Sequence, residues 1–459
     1  MSGGWRSARY ELRHLLASPA ALAGTVLLLA AGLCAIGLGT ARTGAEREAL
    51  ATREARLAEQ EAHLRSTHAP EDEVGLIAYY LALPTANEPS TWAGLATGLR
   101  DVYPSSQSLR LLGLVPQLHE PELSNPLQQL TGGFDLAFVL VFLLPLLIIG
   151  LSYDVLSGEE DLGTGPLLRA QPTRLSRVVL LRLGLRAGLV AALVLVLLAA
   201  ALVWSRSPLD GRALGWALIS LAYTALWFLV ALLVASLRRP STFNALALVS
   251  LWIGWSVLVP SLINLVLSAY FPVPGGVELT LVQRQEMNAG WDKPKRATME
   301  PFLARRPEWA LLQVPEERFS WTWYYAMHEV GDGAVAGHMA AYRERLQERQ
   351  RWAEHISLLL PPVNAQLMLD RLSGTDMGSQ LAYRDSLIAY HEQLKRFFYP
   401  KIFRGERLSA LDFSAIPRHR FVPEGGGPSR GLAGLLATLA LLGALVPRAC
   451  RRMDEPTTP

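Results

Sequence analysis

Cross-linking chemistry is nearly absent from this chain. Its two cysteines, Cys34 and Cys450, lie in or beside apolar stretches, which excludes a disulfide framework; the polar regions must hold together by packing. No GxxxxGK[ST] phosphate loop occurs, and no Gly-Lys dipeptide exists anywhere, so the chain shows no signature for cradling nucleotide phosphates itself. The glycine-rich "GDGAVAG" at 331–337 follows no strand and reads as helix or turn. None of the nine histidines stands at the i, i+4 spacing of a helical metal pair, and no local Ser/His/Asp or Cys/His arrangement suggests a nucleophile. Internal repeats and low-complexity tracts are missing as well. Charge is sparse, at 18% of residues and a net +3, and its arginines cluster beside apolar runs. That placement points to membrane sidedness and not to nucleic acid.

What the chain has is apolar length. It contains 459 residues, 51% of them hydrophobic, with mean hydropathy +0.22. A hydrocarbon layer about 30 Å thick takes ~20 apolar helical residues to cross. Stretches at 19–39, 134–153, 183–204, 213–237, 243–271 and 431–447 meet or approach that length. The expected class is an all-α polytopic membrane protein with six transmembrane helices. The first stretch has a basic leader like a signal peptide, but it is longer than the ~7–15 residues of a signal core, so it reads as an uncleaved anchor.

Arginine in short loops and at span ends marks the cytoplasmic face. Arg6, Arg9 and Arg13 precede the first span; Arg169, Arg174, Arg177 and Arg182 lie between the second and third. Arg238 and Arg239 lie between the fourth and fifth, and Arg448, Arg451 and Arg452 follow the sixth. In a six-span zigzag all four groups share one side, which predicts cytoplasmic N- and C-termini. Residues 40–133 and 272–430 then lie outside, the second as a large, mainly helical extracytoplasmic domain. Within the first, Leu50, Leu57 and Leu64 stand seven apart in an Ala/Glu/Arg/Leu-rich run, the pattern of a helical stalk or weak coiled coil. Within the second, Tyr383, Leu387, Tyr390, Leu394 and Phe397 form one apolar stripe at helical spacing. Pro361-Pro362 and Gly374 bracket another helix. "WTWYY" (321–325) reads as packing or as an interfacial aromatic belt.

Residues 1–18 place Trp5, Ala8, Leu12 and Leu15 on one helical side and Arg6, Arg9 and Arg13 on a neighbouring one. This suits a helix lying on the membrane surface, or a plain basic flank. The cytoplasmic loop 154–182 grades from Glu159, Glu160 and Asp161, through Gly163-Thr164, Gly165 and Pro166, to Pro172, Arg174, Arg177 and Arg182. Acids early and bases late suit a short helix dipole, and the glycines and proline imply a bend. The physical readings are a projection that docks on a cytosolic partner and an ordinary charged connector. Asp135, Asn244 and Asn264 are polar groups at membrane depth, where such groups are costly and often functional; they are candidates for a substrate path, and the two asparagines equally for helix–helix hydrogen bonding. Asp135 also lies close enough to the interface to be solvated. Pro145 and Pro260 are candidate kinks in the second and fifth spans.

The loop resembles the segment after the second span in permeases of the ABC-2-type exporter family, where an acidic pair precedes Gly-Thr-Leu, a Leu-rich turn, a Pro and Ser-Arg. The matching residues are Glu159, Glu160, Gly163, Thr164, Leu167, Leu168, Gln171, Pro172, Thr173 and Arg174. Gly165-Pro166 departs from the usual leucine and its neighbour, and Leu181-Arg182 from the usual Gly-Lys. The late segment "LPPVNAQLMLDRLSGTDMGSQLAYRDSLIAYHEQLKRFFYPKIF" (360–403) is similar to one branch, which carries an extracytoplasmic domain of unknown function between spans five and six. The resemblance implies a transport subunit of a bacterial cytoplasmic (inner) membrane that is not itself an enzyme and binds no cofactor. ATP and Mg are expected on a separate cytosolic ABC ATPase dimer, and a second permease, identical or related, completes the transporter. Residues 157–174 are the expected coupling element, with Glu159 and Glu160 pairing arginines of the ATPase. Two other classes stay open: an ATPase-driven machine passing force to an envelope partner, and a receptor or enzyme with an independent ectodomain.

Overall fold

The computed structural model describes residues 2–103, 105–119, 133–170, 173–272, 276–427 and 429–455. Helix makes up 76% of the chain, and among the described residues the one sheet is a two-residue antiparallel ladder pairing Leu83 with Leu109 and Pro84 with Ser108. Among the described residues five helices are long and apolar enough to cross a membrane: Pro19–Thr67, Leu175–Trp204, Gly211–Ala235, Ser241–Tyr270 and Arg430–Asp454. A sixth apolar helix, Leu136–Ser152, is shorter, because Asp135 caps its start and Tyr153 ends it.

Two of these helices widen by one residue per turn just before a proline, at Val139–Leu143 and Gly254–Leu258. Pro145 has no N–H to offer the carbonyl four residues back, Val141. The Tyr223 hydroxyl takes that place, donating to Val141 O at 2.9 Å. The local disturbance expected at Pro145 is therefore absorbed by a bonded side chain from the Gly211–Ala235 helix.

The bundle core runs from Leu28, Ala35 and Ile36 through Leu140, Ile148, Val194 and Leu197 to Trp216, Tyr223 and Trp227. Trp92, from a loop, stacks on Trp216 with centroids 6.1 Å apart. The loop reaches that depth because Gly94 lies against Gly39 of the first long helix; a Cβ on either glycine would collide with the other's backbone.

A larger finding concerns the polar regions. Residues 40–119 and 276–427, read from the sequence as separate segments, share one core. Leu57, Leu64, Val74, Ile77, Leu83 and Leu109 from the first pack with Met299, Phe302, Tyr325, Tyr383, Leu394 and Phe413 from the second. Thr85 Oγ1 and Tyr383 Oη lie 2.9 Å apart, Ser90 Oγ donates to Ser373 O at 2.6 Å, and Leu408 N donates to Asp72 O at 2.8 Å. The Pro19–Thr67 helix, 49 residues and about 73 Å long, belongs to the bundle with its first half and to this domain with its second. Leu57 and Leu64 are buried by the domain itself, so the heptad does not need a second coiled-coil strand. The aromatic run at 321–325 also turns inward: Trp323 and Tyr325 are core residues, and Tyr325 Oη donates to Gly75 O at 2.9 Å. The stripe on the Met377–Phe403 helix ends on Phe398, buried, and not on Phe397, which is half-buried. A pitch of 3.6 residues drifts away from alternating steps of three and four.

Between domain and bundle lies the helix Pro361–Ser373, closed by Gly374 at φ 70°, a left-handed value that favours glycine. Its Ala365, Met368, Leu369 and Leu372 belong to the bundle core.

Candidate functional site

At the end of the bundle away from this domain, residues 153–170 fold into a hairpin of two short helices, Ser157–Asp161 and Gly165–Arg169. Local chemistry explains the turn between them. Gly163 takes φ 72°, which other residues rarely adopt. Gly163 N then donates to Glu160 O at 3.0 Å and Thr164 N to Glu159 O at 2.9 Å, satisfying carbonyls that the helix end would leave free. The Thr164 hydroxyl also bonds the Glu159 carboxylate. An acidic pair followed by Gly-Thr is thus a self-closing turn. Pro166 sits in the first turn of the next helix, where its missing N–H costs nothing.

Within the chain both acids of the pair already have arginine partners, Glu159 from a half-buried position and Glu160 from an exposed one. Glu159 Oε1 accepts from Arg182 Nη2 at 2.7 Å, and Glu160 pairs with Arg169. Hydrogen bonds from Thr164 and then Arg182 hold the Glu159 carboxyl below the usual carboxylate range. Arg182 continues to Glu11 Oε1 at 2.9 Å, on the N-terminal helix Ser2–Ala17, and to Val155 O at 3.0 Å. One guanidinium therefore joins three segments. Arg186 bonds the carbonyl of Leu151 next to it.

Further ties surround the hairpin's base. Asn244 Nδ2 donates to Tyr153 O and Ser157 Oγ, each at 3.2 Å, and Ser241 Oγ donates to Ser157 Oγ at 2.7 Å. Asp454 accepts from Ser176 N at 2.9 Å and Ser176 Oγ at 2.7 Å, capping the Leu175–Trp204 helix. Beside the acids the tip presents two apolar groups: Leu162 is 80% and Leu167 70% exposed. Asp161, Gly163 and Arg174 are exposed and Leu168 is half-buried. Pro172 and Gln171 lie outside the described residues. On the N-terminal helix Arg9 and Arg13 are exposed; Trp5 and Arg6 belong to it, with side chains outside the description.

The three polar groups proposed to line a path do not come together. Asp135 is 3% exposed and not solvated: its carboxylate accepts from Phe138 N at 2.8 Å and from Thr97 N and Oγ1, both at 2.7 Å. It is a helix cap fixing a loop. Asn244 ties the hairpin, and Asn264, twenty residues along the same helix, accepts from Arg349 Nη2 at 2.7 Å. That separation is about 30 Å. Among the described residues no group of three or more His, Cys, Asp or Glu is arranged to hold a metal.

Glu11, Asp454, Ser157 and Leu162 escaped the reading of the sequence. Glu11 alone left a trace, as the single acid among the first 45 residues.

Residues 277–422 match a family model described as a domain of unknown function (DUF3526). The match covers the later portion of the polar domain, without residues 40–119 and without the apolar helices. No curated protein and no solved structure matches the chain.

Proposed function

We propose that this chain is the permease subunit of an ATP-driven ABC transporter, an exporter in a bacterial inner membrane. In this reading it crosses the membrane six times, with both termini and the hairpin cytoplasmic and the polar domain outside. ATP and Mg belong to a cytosolic ATPase dimer, and a second permease, a copy or a relative, lies alongside. One observation carries the reading: an apolar-tipped hairpin tied at its base to the N-terminal helix, the Ser241–Tyr270 helix and, beside it, the C-terminal helix. Leu162 and Leu167 seat in a groove of the ATPase. Movement of that seat passes through Arg182, Asn244 and Ser176 to the helices they join. The resemblance of residues 159–174 and 360–403 to ABC-2-type permeases supports the same assignment.

A second reading has its own support. Trp216, Tyr223 and Trp227 fill the bundle interior, and Asp135 and Asn244 are spent on capping and tethering. Such an interior favours an ATPase-driven machine that transmits force to an envelope partner without moving a substrate through this subunit.

The test is co-purification of the tagged chain from its native host. An ATP-binding subunit is expected with the wild type, and Leu162→Asp with Leu167→Asp should lower its recovery at least about tenfold while leaving membrane insertion intact. Absence of any such subunit from the wild-type complex removes both readings in favour of an independent receptor or enzyme. Substrate-dependent flux in vesicles separates export from force transmission.

A further inference from the structure

A cavity lies far from the hairpin, in the seam where residues 82–119 meet residues 280–328 of the polar domain. It holds about 800 Å³, within the ~300–1,000 Å³ range of small-molecule sites. Two of its lining side chains are deeply buried and only partly bonded. His328, 7% exposed, accepts from Gly113 N through Nδ1 at 3.1 Å, so its proton sits on Nε2, and that atom has no partner among the described residues. Gln283, 1% exposed, points Nε2 at Asp332 Oδ1, 3.4 Å away, which leaves Oε1 buried and unpartnered.

Gly113 is what lets these groups converge. A Cβ there would press on the Gln283 amide, with Asp332 Oδ1 3.2 Å and His328 Nδ1 3.4 Å away. Asp332 is already engaged by Leu114 N at 2.7 Å and Val115 N at 3.4 Å. A buried donor and a buried acceptor left open cost stability unless something fills them.

Charge narrows what that something is. Arg110 and Arg284 also line the cavity and are exposed; among the described residues neither guanidinium has a carboxylate partner and no Asp or Glu lines the space. Leu281 and Met287 supply apolar wall.

We propose that this cavity binds a small carboxylate-bearing amide, the chemistry of a peptide's C-terminal end. The carboxylate lies against Arg110 and Arg284. The amide carbonyl accepts from His328 Nε2 and the amide N–H donates to Gln283 Oε1. Arginine suits a carboxylate because its fork offers paired donors. The proposal does not depend on the permease assignment.

The experiment is calorimetric titration of the full chain in lipid nanodiscs with N-acetyl-Ala-Ala, its C-terminal amide and inorganic phosphate, each to about 10 mM. The free acid is expected to bind, the amide at least about tenfold more weakly. Arg284→Gln, at an exposed position, should weaken the acid by a similar factor with unchanged thermal unfolding. Gln283→Leu should weaken acid and amide alike. Equal binding of acid and amide, binding of phosphate alone, or no binding of the acid to the wild type overturns the proposal. None of these results bears on whether an ATPase co-purifies, so the two proposals fail separately.

Discussion

At one end of the bundle the hairpin has only its base, Val155 and Leu156, in the apolar core, and polar contacts join it to the helices around it; at the other, a domain drawn from two stretches of chain has an apolar core of its own. The difference is one of stiffness. Individual hydrogen bonds contribute about 1 kcal/mol net, so the hairpin beyond Leu156, held by a handful of them, can shift as a unit. A core that includes Phe302, Tyr325, Tyr383 and Phe398 resists deformation, since close-packed interiors yield little. The first region is built to move and the second to hold a shape.

The largest effect is expected where the stiff region has a buried charge cluster. Arg306 bonds Glu329 at 2.6 Å and Glu392 at 2.7 Å, while Lys395 lies 3.0 Å from Glu392 and Tyr399 Oη donates to Glu329 at 2.9 Å. Burial alone would raise the Glu392 carboxyl, yet Lys395 and Arg306 hold it down to about 2. Arg306→Ala leaves both acids to share Lys395 as their one cation and should cost about 3 kcal/mol of domain stability, read by denaturant unfolding. An effect under ~1 kcal/mol would show the cluster to be solvated, erasing the contrast in stiffness.

Acid should come next. Burial lowers His328 to about 4, His391 to about 3 and His419 to about 4. The unfolded chain takes up these protons near 6.5 and the folded domain does not, so their contribution is full above that value and is lost as pH falls toward 4. Asp332, raised to about 6 by burial, acts oppositely: it favours the folded state as pH falls below 6. Three histidines outweigh one acid, so unfolding should become easier between pH 7 and 5 by on the order of 3 kcal/mol. The Glu159–Arg182 pair, whose carboxyl is held low by its hydrogen bonds, should be little affected over that range. A flat stability profile would contradict the burial of the histidines.

Leucine substitutions sharpen the comparison along one helix. Leu57→Ala empties a position in the domain core and should cost about 2–4 kcal/mol, whereas Leu50→Ala, half-buried, should cost about 1 kcal/mol or less. Equal losses, and dimer dissociation with both, would restore a coiled coil. Smallest in global stability is Arg182→Ala. It releases Glu11, Val155 and Glu159 together, so protease cleavage near residue 165 should rise at least about tenfold while thermal unfolding of the domain changes by less than ~1 kcal/mol.

Much of this division can be read from residue patterns. The apolar stretches were visible because about 20 consecutive apolar residues have few other uses, and Pro361 with Gly374 bracketed a helix because each residue restricts the backbone. Tertiary pairing was hidden. Leu50, Leu57 and Leu64 carry a heptad spacing that a stalk and a domain-buried helix share. The partner of Glu159 was hidden because Arg182 lies 23 residues downstream, beyond any local spacing rule. Asp135 at a span's edge is indistinguishable from a solvated acid until Thr97 is seen to fold over it. Of the seam cavity nothing was legible, since its walls come from stretches some 200 residues apart.

Chemical labelling at the hairpin tip tests the account most directly. With Cys34→Ser and Cys450→Ser as background, Leu162→Cys in sealed membranes should react with an impermeant maleimide only when the cytoplasmic face is exposed, and binding of the ATP-binding subunit should block the reaction. Labelling from the outer face, or undiminished labelling in the assembled complex, would contradict it.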